Sequence, residues 1–171
     1  PFALSKFLNA VGKDAQIKTL FLCESITAYD NLDSIFSLKE AERLTGIIVG
    51  RSDFTKSMGL NKSEVDTKKI CDHVEKTLKT AKSKKLITTM GGNISTKSSC
   101  FVKKMFEKGL LDKIETRNVI IQLNEDNIMR LKEVIRQALD FEINWLRYNS
   151  RSYADLSHEY TYRAGLLESR K

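Results

Sequence analysis

Cysteine and histidine are scarce in this chain. Three cysteines, Cys23, Cys71 and Cys100, stand far apart in 171 residues, without the paired spacing of a zinc module. Their odd number argues against a disulfide framework, so reduced thiols inside a cell are expected. His73 and His158 have no second ligand at metal spacing, and neither reads as a catalytic or zinc-binding residue. Long apolar runs are also missing. No stretch could span a bilayer, and the first residues lack the charged start and cleavage pattern of a signal peptide. A soluble, cytoplasmic protein without a membrane partner is the expectation.

Acidic residues are fewer than basic ones, 22 against 29, for a formal charge of +7. The densest basic group, Lys76, Lys79, Lys82, Lys84 and Lys85, is spread along a helical segment. It reads first as a solvated helix face and next as a means of steering an anionic substrate. With no aromatics interleaved and no recognition motif, nucleic acid is a low-ranked partner.

Apolar periodicity organises the rest. Residues 1–11 repeat Phe2, Leu4, Phe7, Leu8 and Val11 at helical spacing, and Gly12 supplies a stop. Residues 17–23 are almost continuously apolar, as a strand covered on both faces must be, and residues 28–38 return to helical spacing. A second strand is expected at 46–50, an amphipathic helix at 64–82 and a third strand at 86–90 before the Gly91-Gly92 break. A helix at 96–108 follows, then a fourth strand within 113–123 centred on Val119, Ile120 and Ile121. Asn124 caps a long helix through Trp145, and the tyrosine-rich tail after Tyr148 reads as a further helix or arm.

Strand and helix alternate with crossovers long enough for parallel pairing, so the fold class is α/β. About four strands suit either a small open sheet or one half of a (β/α)8 TIM-type barrel. The opening helix favours the barrel, with this chain supplying about the last four β/α units. On that reading residues 1–123 form the C-terminal half of the barrel. Residues 124–171 form a terminal helix and helical tail, which either contacts another subunit of an oligomer or packs on its own.

Two strands in succession end in an acid. Leu20-Phe21-Leu22-Cys23 leads into Glu24, and Ile47-Ile48-Val49-Gly50 leads through Arg51 and Ser52 to Asp53. Glu24 and Asp53 lie about one βαβ unit of roughly 30 residues apart, so adjacent strands would carry both to the same carboxyl-end face. Such acids serve as oxygen ligands for a hard cation, but also as helix N-caps or loop ion pairs. Arg51 offers a planar fork to a substrate anion, or an ion pair to Asp53 or a neighbouring acid. The Gly91-Gly92 pair can bring backbone N–H groups to an anion, or form a tight turn with no ligand. Strand alternation points the Cys23 thiol into packing, away from Glu24. Glu115 and Arg117, read as lying near the start of the fourth strand, are expected to be structural.

The joint pattern of Glu24, Ala28, Asn31-Leu32-Asp33, Ile35, Gly46-Ile47, Gly50, Asp53 and Ser57-Met58-Gly59 resembles the HpcH/HpaI aldolase and citrate lyase β-subunit family. Met90-Gly91-Gly92 and Ile114-Glu115-Thr116-Arg117 extend the likeness over most of residues 1–123. The resemblance implies a (β/α)8 barrel, commonly oligomeric, with Glu24 and Asp53 as ligands of Mg²⁺ or another divalent ion such as Mn²⁺. It implies reversible carbon–carbon cleavage through a metal-stabilised enolate, on a 2-oxo acid or hydroxyacyl-CoA substrate. Gly50, Arg51, Ser52, Gly91 and Gly92 become substrate-binding candidates, with Arg51 also the catalytic candidate. Arg51 stands where pyruvate-type aldolases often carry proline, which tilts the reading toward the lyases. The family's substrate arginine comes from an early strand not in this sequence, so the 171-residue segment alone is expected to be inactive. The alternative is a non-catalytic binding or scaffold subunit of the same fold.

Overall fold

In the computed structural model, which describes residues 1–12 and 16–170, strands and helices alternate as their apolar spacing requires. Helix α1 (Phe2–Val11) precedes β1 (Thr19–Cys23), and α2 (Ile26–Asp30) and α3 (Leu32–Phe36) carry the chain to β2 (Leu44–Gly50). Helices α4 (Arg51–Ser57) and α5 (Lys68–Ser83) lead to β3 (Ile87–Gly91), and α6 (Ser99–Glu107) leads to β4 (Lys113–Glu115). Then come β5 (Ile120–Gln122), α7 (Glu125–Met129) and α8 (Leu131–Glu168).

The five strands form one sheet in chain order, β1-β2-β3-β4-β5. The first four are parallel, and β5 returns antiparallel against β4, with Glu115 opposite Ile120. The α/β expectation therefore holds, as an open five-stranded sheet. The single fourth strand expected across residues 113–123 is instead a hairpin. A turn at Thr116–Asn118, where the Thr116 N–H donates to the Val119 carbonyl at 2.9 Å, reverses the chain between β4 and β5. Glu115 consequently stands at the carboxyl end of a parallel strand, the opposite end from the one expected.

Alternation along the strands sorts the side chains into two faces. Cys23, Ile47, Val49, Met90 and Ile114 face the helices and are buried there. Around them pack Phe54, Ile70, Val74 and Leu78, then Val102 and Met105, and finally Leu131, Ile135 and Ala138 from the first turns of α8. A second cluster joins Leu8 of α1 to Leu32, Ile35, Phe36, Leu44 and Ile47. Arg43 fastens α1 by donating to the Leu8 carbonyl at 2.6 Å and to Asn9 Oδ1 at 3.3 Å.

The other face of the sheet has no helical cover among the described residues. Leu20 and Leu22 are 48 % and 46 % exposed, and Ile87 is 36 % exposed. Parallel sheets are ordinarily covered on both faces, so this apolar surface is an unusual feature of the fold. The tail after Tyr148, expected as a helix or arm, continues α8 without a break, and residues 150–170 are exposed throughout. No helix is long and apolar enough to cross a membrane among the described residues.

Candidate active site

The carboxyl ends of β1 to β4 meet at one edge, and register decides what stands there. Cys23 pairs with Val49, so Glu24 follows β1 directly beside Gly50. Gly50 in turn pairs with Gly91 of β3. Two glycines side by side leave a stretch of open-face backbone without side chains, and carboxylates from both flanks lie across it. A Cβ built on Gly50 would stand 3.1 Å from Glu24 Oε2, and one on Gly91 would stand 2.7 Å from Glu115 Oε1. Neighbouring strands are about 4.8 Å apart. Glu24 and Glu115 therefore reach toward each other from β1 and β4 over the two glycine strands between them.

Asp53 arrives by a different route. It sits in the first turn of α4, which begins as β2 ends, a position that favours a carboxylate electrostatically. Its side chain is 60 % exposed, and its ion pair is a long, exposed contact to Lys56 at 3.4 Å, which costs little to exchange for another cation. The β1–α2 loop is tied to α4 by the Ile26 N–H, which donates to Ser57 Oγ at 2.8 Å. Asp53 and Ser52 open onto a cavity of about 780 Å³ shared with Gly92, Glu115, Arg117 and Lys62. Glu24 lies outside this lining, on the far side of Gly50.

Gly91 and Gly92 close the floor. Gly92 adopts φ +82°, and a Cβ there would come within 2.4 Å of the Ser52 nitrogen and 2.6 Å of the Arg51 nitrogen. Only glycine lets the β3–α6 turn approach the start of α4 this closely. Of the two readings left open for this pair, a tight turn is what the geometry displays, with the Gly91 carbonyl accepting from Arg51 Nε at 3.4 Å.

Arg51 is fully buried. Its Nη1 donates to Asp66 Oδ1 at 2.7 Å and, over a longer 3.4 Å, to the Val65 carbonyl, while Nη2 donates to Ser98 Oγ at 3.1 Å. The ion pair expected with Asp53 or a neighbouring acid is made with Asp66, and the guanidinium is spent on it instead of facing the cavity. Arg51 thus pins the β3–α6 turn and the loop before α5 to the base of α4. It holds the site in shape from beneath.

Burial raises the pKa of the Glu115 carboxyl. Burial, and secondarily the charge of Glu24, pushes the Cys23 thiol up to about 12, so it stays protonated and packs, as expected. His73 sits in an aromatic group, 4.8 Å from the Tyr29 ring and 5.7 Å from the Phe54 ring, with Nδ1 2.7 Å from the Lys69 carbonyl. That is a packed histidine. Among the described residues no three acids, histidines or cysteines converge as a ready-made metal cage. The acids at this edge are Glu24 and Glu115, laid across the glycine floor, and Asp53 in the first turn of α4, and carboxylate oxygens are the donor type that a hard cation takes. Glu115 and Arg117, expected from sequence to be structural, line the cavity, and the signal for that placement is the Lys113-Ile114-Glu115 alternation followed by a polar turn, which marks a strand end; Lys62 joins them from the turn before α5, with no signal in the sequence.

The family model for HpcH/HpaI aldolase/citrate lyase matches residues 8–104, which is more than half of the chain and takes in β1 to β3 and α4 to α6. No curated protein matches the chain.

Proposed function

This chain belongs to the HpcH/HpaI aldolase/citrate lyase family, and from that premise we propose that it carries the metal-binding edge of a divalent-metal-dependent carbon–carbon lyase. The carrying observation is the glycine floor at the carboxyl end of the sheet. Gly50 and Gly91 leave room there for the carboxylates of Glu24 and Glu115 to lie across the sheet edge, with Asp53 one helical turn away.

Glu24 and Asp53 would hold the cation, Mg²⁺ or Mn²⁺. When bound, the cation supplies Lewis-acid stabilisation of negative charge developing on a carbonyl oxygen. The remaining work falls to the protein. Glu115, lodged against Gly91 with its carboxyl pKa raised by burial, is suited to hold a proton at Oε1 and exchange it with the substrate. Arg117 and Lys62 line the same cavity and supply positive charge toward a substrate carboxylate. Ser52 and Gly92 line it as well, with Gly91 just behind at the end of β3. Arg51 acts as a positioning residue through Asp66, Ser98 and Gly91. The substrate class this accommodates is a 2-oxo acid or hydroxyacyl-CoA.

The strand order also favours the barrel reading. Four parallel strands in chain order, helices on one face and a bare apolar face on the other are what an arc of a (β/α)8 barrel would present, and they support that reading. On this reading the open face, with Leu20, Leu22 and Ile87, meets the other barrel strands, and the long α8 contacts a second subunit. Calorimetric titration of pyruvate in the presence of Mg²⁺ tests the site. Binding that requires the metal and weakens about tenfold in Arg117→Ala supports it. Metal-independent binding, or none at millimolar pyruvate, overturns it. Glu115→Gln adds a check on the proton role, since binding should persist while any pH dependence of binding is lost.

A further inference from the structure

On the outer, helical side of the molecule a second cavity of about 580 Å³ opens between the start of α6 and the α7–α8 corner. Its rim is cationic. Lys97 and Lys103 come from the α6 side, and Arg130, Lys132 and Arg136 come from the α7–α8 side. Elsewhere many lysines are matched to acids: Lys79 and Lys108 with Glu75, Lys82 with Asp112, Lys68 with Asp72. Here Lys97, Arg130, Lys132 and Arg136 make no ion pair within 4.0 Å among the described residues, and Lys103 reaches Glu107 at only 3.9 Å. The one acid in the lining, Glu133, accepts from Gln137 Nε2 at 3.2 Å and offsets only one of these five cations, so the groove keeps a net positive charge.

Backbone adds to the field. Helix α8 is 38 residues long and starts at this corner with no side-chain cap, and its first residues, Leu131 to Glu133, line the groove, so the positive end of its dipole lies there. The helix break that creates the corner falls at Arg130, between two segments that would otherwise run on as one helix. The volume is that of a small-molecule site, too short for a track along nucleic acid, and no aromatic side chain in the lining offers a base-stacking platform. Like charges gathered in excess repel one another, and a multivalent anion would relieve that repulsion.

We propose that this groove binds a small ligand carrying two or more phosphates. The site is separate from the edge that holds Glu24 and Asp53, and its existence does not depend on the lyase reading. The two are linked through one segment: the β3–α6 connection that begins with Gly91-Gly92 at the cavity shared with Asp53 ends at Lys97 on the groove.

The test is calorimetric titration of the full chain with inorganic pyrophosphate, then with ADP, at roughly 50 mM and roughly 200 mM salt. Saturable binding of both at low salt is expected, weakening at higher salt. The Arg130→Ala/Arg136→Ala variant should lose about tenfold or more in affinity, while Lys18→Ala/Lys84→Ala, away from the groove, should stay within about twofold. Thermal melts verify that both variants fold, and Lys97→Ala with Lys132→Ala provides a second groove pair. No heat at millimolar pyrophosphate overturns the proposal, as do an equal loss in the control and tighter binding of a single-stranded oligonucleotide than of either probe.

Discussion

Replacing Asp66 with alanine leaves the Arg51 guanidinium buried without its counter-charge, and the cost can be worked from the geometry. Arg51 is 0 % exposed, and Asp66 is 27 % exposed, with 2.7 Å between Nη1 and Oδ1. Breaking a fully buried pair costs about 3–5 kcal/mol; partial solvation of Asp66 lowers the expectation to about 2–3 kcal/mol. Arg51→Met removes the charge but also strips donors from Ser98 Oγ and from the Val65 and Gly91 carbonyls, for about 2–3 kcal/mol. The Arg51→Met/Asp66→Ala double variant should therefore cost about the same as either single, with a coupling near 2 kcal/mol. Urea unfolding of the four proteins reads these values directly from the midpoints and slopes. Additivity of the two singles to within about 0.5 kcal/mol would refute the reasoning, because it would mean that the pair is not a coupled unit.

Acid stability should depend on Glu75, whose carboxyl is held down to about 2 by hydrogen bonds and charge from Lys108 and Lys79. A depressed carboxyl contributes stability above its unfolded value of 4.5 and loses it as pH falls toward about 2. Glu75→Gln should accordingly cost about 1 kcal/mol at pH 7 and flatten the acid limb in that window, read by denaturation at stepped pH. Gly92→Ala should destabilise by about 3 kcal/mol, since the new Cβ meets the Arg51 and Ser52 nitrogens at a positive φ. Gly109→Ala, at φ +66° just past the end of α6 and with nothing within 4 Å among the described residues, should cost only about 1 kcal/mol, both changes read from thermal melts.

Much of the fold is legible because its signals are local. The apolar runs at Leu20–Cys23 and Ile47–Val49 became β1 and β2, and the 3.6-residue stripe of Ile70, Val74, Leu78 and Ala81 became the inward face of α5. The fourth strand was misjudged because Val119-Ile120-Ile121 outweighs Lys113-Ile114-Glu115 in hydrophobicity. Pairing follows sheet register instead, and the less apolar run is the one that joins β3 in parallel. That error carried Glu115 to the wrong end of its strand. Arg51 shows a different limit: its burial depends on Asp66, Val65 and Ser98, 14 to 47 residues away, which no local pattern reveals. Glu24 is legible because it follows directly on a strong strand, and Asp53 because it falls in the helical turn that a strong strand leads into.

If Glu24 and Asp53 hold a divalent cation, titration of the chain with Mn²⁺, followed by electron paramagnetic resonance of the free ion, should show one saturable site that Mg²⁺ displaces, with affinity reduced about tenfold or more in Glu24→Gln and in Asp53→Asn. Unchanged Mn²⁺ affinity in both variants would contradict that assignment.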